Sequence, residues 1–260
     1  MENTLDFSDR LRLIDERLTA FRAVVAAAPD LDAQVPTCPD WTLFDLAQHI
    51  GQSRRRWAAV VAAGPAEAPP AGFLPENVPA APREREVLVE WLAESSRLLL
   101  DALKAAGPDR GCWTWWGDGQ SPQNSGVVAR HQLQEISVHT YDAQLTVGAP
   151  AELPTDVALD GVGDFLYTCC STTSAWPHEP AVVEYYSAEG HSWRVRLDAD
   201  GALISPLTAA DAGDGEPDVS ARGTAAELVL FFYGRTSLDS VEIGGDRRVF
   251  ERLFAWDPSA

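Results

Sequence analysis

Residues 134–143, QEISVHTYDA, lie within a stretch from about 126 to 147 that is predicted to be a helix. Glu135 and His139 are four positions apart, and positions i and i+4 lie on one face of a helix, about one turn apart. Two such side chains can bind one cation. His49, in a second predicted helix far upstream, supplies a third ligand. The spacing predicts a metal site inside a helical bundle, with one coordination position open to water or substrate.

Four predicted helices make up the first part of the chain. Apolar residues recur near the 3.6-residue period from 4 to 28 and from 83 to 106, which is typical of amphipathic helices. Thr42 and Asp45 predict a capping box at the start of the second helix. Proline-rich loops separate the first three helices, and an aromatic and glycine-rich loop precedes the fourth. Together with the metal ligands, this pattern indicates a four-helix bundle.

The part of the chain that follows the predicted bundle mixes strands and helices. A helix is predicted at 155–171, strands at 181–187 and 191–200, and a further helix at 224–234. A short strand and a terminal helix come last. The acidic stretch 211–218 is predicted to be a solvated loop rather than a calcium site, because it lacks the glutamate placement of an EF-hand.

The predicted fold class is α+β, with a metal-binding helical bundle over 1–150 and a small α+β domain over 151–260. The 260 residues suffice for two compact domains. The net charge of −19 opposes binding to nucleic acid or anionic membrane, which both require a basic surface. No apolar run is long enough to span a bilayer, no signal peptide precedes the first helix, and no CxxC pair suggests a zinc ribbon. A cytoplasmic protein without nucleic-acid or membrane partners is expected.

The candidate metal site leaves alternatives open at this stage. His131 stands four positions before Glu135 and can replace His49 as the third ligand, and each histidine can instead be an ordinary core or surface residue. Asp142 follows His139 by three positions. It is expected either to orient an imidazole as a hydrogen-bond acceptor or to be a carboxylate on the helix surface.

Other residues are candidates for binding a substrate or a cofactor. Arg130 and Arg235 can each hold a carboxylate in a bidentate fork. Trp115 and Trp116 precede the ligand helix and are predicted either to wall a pocket that excludes water or to pin their loop to the bundle. The cluster 54–56, RRR, is expected to direct at most one or two side chains toward the site and otherwise to form a solvated face.

Three stretches resemble a known family. PTCPDWTLFDLAQHIGQSRRRWAAVV at 36–61 and WTWWGDGQSPQNSGVVARHQLQEISVHTYDAQ at 113–144 are similar to the two signatures of the mycothiol-dependent maleylpyruvate isomerase family. GTAAELVLFFYGR at 223–235 is similar to its C-terminal domain, so the resemblance covers nearly the whole chain. The motifs that carry it are HxG in the second helix and ExxxH followed by DA in the fourth.

The resemblance implies a DinB-like four-helix bundle followed by a small C-terminal α/β domain. It also implies a divalent metal, with zinc the expected ion, held by His49, Glu135 and His139. Mycothiol, the low-molecular-weight thiol of actinobacteria, is the implied cofactor or co-substrate. The essential arginine of the family's C-terminal domain corresponds best to Arg235.

The chain departs from the family pattern at two positions near the ligands. Gln134 stands where many relatives have a histidine, and Thr140 stands where they have a basic residue. The metal ligands remain, whereas anion recognition beside them changes, and the substrate is left open. The expected activity is that of a mycothiol-dependent metalloenzyme, an isomerase or thiol S-transferase. In it a metal-held thiolate attacks a small electrophile in a pocket between the domains. The alternatives are a thiol-independent metal hydrolase and a non-catalytic, metal-containing small-molecule binding protein.

Overall fold

The computed structural model describes residues 5–208 and 215–258. The predicted α+β fold class is confirmed, because four long helices precede a five-stranded sheet with shorter helices. Residues 211–214, the first four of the acidic stretch 211–218 that is predicted to be a solvated loop, lie outside the described part of the chain. Within the described residues, no helix combines the length and the apolar character needed to cross a bilayer.

The chain forms two compact units. The first contains Leu5–Trp115 and Pro122–Leu153. The second contains Trp116–Ser121 and the described residues from Pro154 onward. The short segment before the fourth helix therefore associates with the sheet-containing unit, although it lies between two parts of the helical unit in sequence.

The helical unit is a four-helix bundle. Its helices are α1 (Phe7–Ala27), α2 (Leu43–Ala63), α3 (Arg85–Ala106) and α4 (Ser125–Thr146). The capping box predicted at Thr42 and Asp45 is present, and Asn124 caps α4 by accepting a hydrogen bond from the backbone N–H of Val127 at 3.0 Å. Both α1 and α2 pack chiefly against α3 and α4.

The α4 helix is unusual in how many polar side chains it buries. They are Ser125, His131, Gln132, Gln134, Ser137, His139, Thr140 and Asp142. A polar group withdrawn from water costs free energy unless it finds a partner, so core helices normally bury apolar side chains. The interior polar chemistry of the bundle is therefore concentrated on the helix that carries the ExxxH motif.

Gly51, the glycine of the HxG motif, allows α2 and α3 to approach closely. A Cβ atom at this position would lie 1.9 Å from Cζ3 and 2.4 Å from Cη2 of the Trp91 ring on α3. No side chain other than hydrogen fits beside the indole, so the glycine has a packing role next to His49. The HxG motif thus contains both a candidate metal ligand, His49, and a glycine, Gly51, that helix packing requires.

We expect Gly51→Ala to lower the free energy of unfolding by about 1–3 kcal/mol, because the added methyl group overpacks the contact with Trp91. Urea unfolding measures the effect. Gln52→Ala, a substitution at the next position of the same helix, is the matched control and should change stability little. In a helix free of this contact, Gly to Ala would stabilise by roughly 1 kcal/mol, so a more stable Gly51→Ala protein would contradict the packing role.

The second unit contains a mixed sheet and three helices. Its helices are α5 (Thr155–Asp164), α6 (Ala225–Phe232) and α7 (Arg248–Ala255), and its strands are β1 (Ala181–Ser187), β2 (Ser192–Asp198), β3 (Gly201–Pro206), β4 (Val219–Gly223) and β5 (Glu242–Gly245). The strand order is β3-β2-β1-β4-β5. In it β1 and β4 are parallel, and the other neighbouring pairs described are antiparallel.

The core of this unit contains a cluster of aromatic rings. Phe232 stacks on Phe165 with ring centroids 4.8 Å apart and meets the edge of Tyr185 at the same distance. Such pairs add specific geometry to the burial of large apolar rings. The contacts join α6 to β1 and to the segment after α5, which is π-helical over Phe165–Cys170 rather than the continuous α-helix predicted there.

Candidate metal centre

The two helices α2 and α4 bring three potential metal ligands together. His49 Nε2 lies 3.0 Å from Oε1 of Glu135, and His139 Nε2 lies 4.0 Å from the other carboxylate oxygen, Oε2. The three residues each offer a ligand atom within 4.8 Å of the others. Glu135 and His139 share one face of α4 because they are four positions apart, and His49 comes from the facing helix.

The three side chains differ in their access to solvent. The side chain of His49 is 35% exposed, that of Glu135 is 21% exposed and that of His139 is 9% exposed. The Trp41 ring packs against both imidazoles, with centroids 4.7 Å from His49 and 6.0 Å from His139. The centre is thus buried on the His139 side and open on the His49 side, where a small molecule could approach.

Asp142 holds the His139 ring. Its Oδ2 lies 2.8 Å from His139 Nδ1, and its Oδ1 accepts a hydrogen bond from Thr37 Oγ1 at 2.7 Å. Asp142 is completely buried, so it is not the surface carboxylate that the sequence left as an alternative. Hydrogen bonding at Nδ1 leaves Nε2 facing Glu135, and this arrangement is typical of histidine ligands of metal ions.

The charge state of Glu135 follows from its neighbours. Burial raises the pKa of this carboxyl, but the hydrogen bond from His49 and the electrostatic attraction of His139, His49 and His131 outweigh burial and hold the pKa well below its usual range. Glu135 is therefore a carboxylate at neutral pH. A carboxylate between two imidazoles is a ligand set that suits a divalent cation, zinc among them.

His131, the alternative third ligand, lies in an aromatic cluster. Its ring centroid is 5.6 Å from that of Trp115 and 6.4 Å from that of Trp57, both in edge-on contacts. The group that includes Glu135 and His139 contains His49 rather than His131. The ligand role of His49 stays a prediction, and the geometry favours it over the alternative.

The other predicted site residues occupy different surroundings. Arg130 is partly buried on α4, and the Trp115 side chain is 47% exposed beside His131. Trp116 is buried and belongs to the second unit rather than to the helical unit. Arg235 also belongs to the second unit, where its Nη1 donates to the Tyr233 carbonyl at 2.6 Å. Their roles in binding and catalysis stay predictions.

Arg54 is the one buried member of the 54–56 cluster, which is expected from the sequence to direct at most one or two side chains toward the site and otherwise to be solvated. It is completely buried, and its Nη1 donates a hydrogen bond to Oε1 of Gln132 on α4. Among the described residues, no partner is present for Arg54 Nε and Nη2 or for Gln132 Nε2. Burial lowers the pKa of the guanidinium to about 10, although the Glu135 carboxylate acts in the opposite direction. Arg54 is therefore a cation in the α2–α4 contact, close to the ligand set.

Loss of the Arg54 partner should destabilise the bundle. We expect Gln132→Leu to cost about 1.5–3 kcal/mol, because a buried charged donor loses its acceptor. Replacing both polar groups, as in Arg54→Met with Gln132→Leu, should recover most of this cost, since neither change then leaves a buried polar atom behind. Chemical denaturation of the two single variants and the double variant measures the coupling. Additive effects would contradict a direct interaction.

The chain matches two family models. The model described as the mycothiol maleylpyruvate isomerase N-terminal domain matches residues 11–144. The model described as the MDMPI C-terminal domain matches residues 156–252. No curated protein sequence matches the chain.

Two solved structures share the fold. One is described as the crystal structure of the mycothiol-dependent maleylpyruvate isomerase, with 15% sequence identity and a TM-score of 0.60. The other is a histidine-to-alanine variant of that isomerase, with 14% identity and a TM-score of 0.61. Each comparison covers 92% of this chain and 93% of the solved chain. At this identity the likeness establishes the fold.

Proposed function

The chain belongs to the mycothiol maleylpyruvate isomerase family, and from that premise we propose that it is a thiol-dependent metalloenzyme acting on a small electrophilic molecule. The proposed reaction is an isomerisation or the transfer of the thiol to the electrophile. Mycothiol is the proposed thiol, since the description of the N-terminal family model and those of the solved structures with this fold name it. The observation that supports the proposal is the approach of His49, Glu135 and His139 from two helices, with ligand atoms within 4.8 Å of one another.

The residues present fit a divalent cation. Two imidazoles and a carboxylate, with their ligand atoms within 4.8 Å of one another, form a donor set found in catalytic zinc sites, which keep a further position open. A cation held there would lower the pKa of a bound thiol and keep it as the nucleophilic thiolate. Zinc is the proposed ion, because mixed imidazole and carboxylate ligands suit it.

The protein residues divide the remaining tasks. In the proposed site, Asp142 orients His139 through the 2.8 Å contact at Nδ1, and the Trp41 ring shields one side of both imidazoles. The exposed side of His49 admits the thiol and the electrophile. Trp115, Trp116 and Arg130 are proposed to contribute to binding the small molecules, and Arg235 is proposed to act on the electrophile.

A turnover assay with and without thiol tests the proposal. Zinc-loaded protein is incubated with maleylpyruvate, or with an aryl halide as an acceptor for thiol transfer, in the presence and absence of mycothiol. We expect turnover only with mycothiol. Loss of free thiol identifies a transferase, whereas unchanged thiol with converted substrate identifies an isomerase. Hydrolysis of an ester or amide panel without thiol would instead support the hydrolase.

A protein that turns over none of these compounds would favour the binding protein. For such a binding protein, Glu135→Ala should lower the thermal stability measured in the presence of zinc. There is then no turnover that the substitution could change. The same variant of a thiol-dependent enzyme should lose its turnover. Testing Glu135→Ala in both measurements therefore separates the catalytic from the non-catalytic alternative.

A further inference from the structure

The two ring nitrogen atoms of His139 face different chemical groups. Nε2 is directed toward Glu135, whose Oε2 is 4.0 Å away. Nδ1 lies 2.8 Å from Asp142 Oδ2, and the same carboxylate oxygen lies 3.9 Å from the sulfur of Cys38. Potential ligand atoms of Cys38, His139 and Asp142 are all within 4.8 Å of one another. A second group of metal-ligating residues therefore lies across the imidazole from His49 and Glu135.

We propose that Cys38, His139 and Asp142 form a second cation site that takes a soft divalent ion such as Cd²⁺ or Zn²⁺. Thiolate, imidazole and carboxylate are all ligands of zinc, and three of them leave a fourth tetrahedral position for water. In such a site, neighbouring ligand atoms lie roughly 3.3–3.8 Å apart, given metal–ligand bonds of about 2.0–2.3 Å. The observed separations of 2.8 Å and 3.9 Å bracket that range, so small side-chain adjustments complete the site.

The surroundings hold two of these ligands in place. Thr37 Oγ1 donates to Asp142 Oδ1 at 2.7 Å and leaves Oδ2 directed toward Nδ1 of His139. The Cys38 backbone is held in a turn, because its N–H donates to the Val35 carbonyl at 3.1 Å and its carbonyl accepts from the Trp41 N–H at 2.9 Å. The sulfur is thus presented to the carboxylate by an ordered segment and not by a free loop end.

Charge and access also suit a cation at this position. Asp142 is completely buried, and an ionised carboxylate withdrawn from water gains from a cationic partner. With the Cys38 thiolate it would supply two negative charges to a divalent ion. Cys38 is partly exposed, which provides a path from solvent. Coordination releases the thiol proton to the solvent, and the ring proton of His139 resides on Nε2 so that the Nδ1 lone pair can bind the ion.

The two sites can be distinguished because only the second one has a sulfur atom among its ligands. The ligands His49, Glu135 and His139 contain none, so sulfur-to-cadmium charge-transfer absorption reports only on a cysteine ligand. The two sites are also separable by substitution, because Cys38→Ser removes a ligand from the second site alone and His49→Ala removes one from the first site alone. The second site therefore does not depend on the proposed reaction.

The experiment is a Cd²⁺ titration followed by ultraviolet absorption. The host protein carries Cys169→Ser and Cys170→Ser, which removes a neighbouring pair of thiols that can bind cadmium by themselves. We expect the host to develop a charge-transfer band on addition of Cd²⁺. The band should persist when His49→Ala is added to the host. It should also persist with Cys112→Ser, the matched control for loss of one thiol. With Cys38→Ser the band should disappear while circular dichroism stays unchanged.

X-ray absorption at the cadmium edge provides a second measurement that needs no Cys38 variant. We expect the cadmium-loaded host to contain a cadmium ion with one sulfur neighbour and otherwise nitrogen and oxygen neighbours. A host without the charge-transfer band, a band that persists in Cys38→Ser, or a cadmium environment of nitrogen and oxygen alone would each overturn the second site. None of these results would bear on thiol-dependent turnover.

Discussion

In a Cys38→Ser background, which removes the proposed second site, purified His49→Ala protein should no longer retain stoichiometric zinc, with the affinity for zinc falling by more than about 100-fold. Loss of a residue that only orients a ligand typically costs 10–100-fold, and His49 is proposed as a ligand itself. Its Nε2 lies 3.0 Å from Glu135, so its removal leaves a carboxylate and one imidazole, both from α4. Elemental analysis after gel filtration and competition with a chelator measure the loss.

A histidine outside the centre provides the matched control for this substitution. His178 is exposed in the sheet-containing unit, where its ring contacts Trp176. His178→Ala should retain the zinc content and affinity of the unsubstituted protein. If, with Cys38→Ser present in both proteins, His49→Ala instead binds one zinc ion as tightly as this control does, His49 is not a ligand, and the account of the α2–α4 centre is wrong.

Asp142→Asn should weaken zinc binding by about 10–100-fold, the range found when the carboxylate partner of a histidine ligand is changed. The amide retains the shape of the side chain but has no negative charge with which to orient and polarise the His139 ring from 2.8 Å away. Chelator competition measures the affinity, and circular dichroism checks that the bundle is folded.

Thr37→Val is the appropriate comparison for Asp142→Asn. It removes the hydrogen bond to Asp142 Oδ1 but leaves the carboxylate next to His139. We expect a smaller loss of zinc affinity than in Asp142→Asn, because the acceptor of Nδ1 keeps its charge. A folded Asp142→Asn protein with unchanged zinc affinity would show that the buried carboxylate does not act on the metal through His139.

Helical periodicity predicts only part of the candidate metal centre. The spacing of Glu135 and His139 places both on one face of α4 regardless of how the helices pack. This pair can therefore be identified from the local sequence alone. The choice between His49 and His131 depends on how α2 is aligned against α4. Residues distant in sequence fix that alignment by packing, and no local pattern reports it. The structure brings His49 to Glu135 and places His131 against Trp57.

Helical spacing indicates that Arg54 lies on the buried face of α2, whereas its charge favours exposure to solvent. Ile50 and Trp57 belong to the apolar face of α2, and Arg54 is four positions after the first and three before the second. Helical spacing therefore places it on the buried face. Because it stands within a run of three arginines, composition suggested a solvated cluster. Only Gln132, from the facing helix, explains how its guanidinium is accommodated.

The sheet was predicted less completely than the bundle. Only some of its strands carry a clear local pattern, and β3 and β4 were not anticipated. β3 is six residues long and contains both Gly201 and Pro206, and β4 contains a serine and an arginine among five residues. Their strand character depends on pairing with β2 and β1, which is a property of the assembled sheet.

Calorimetric titration of mycothiol into zinc-loaded and zinc-stripped protein tests the central claim most directly. If the thiol binds through a cation held by His49, Glu135 and His139, the zinc-loaded protein should bind mycothiol, and neither the stripped protein nor zinc-treated His49→Ala should do so. Equal mycothiol binding with and without zinc, or none in a protein shown by elemental analysis to contain zinc, would contradict the account.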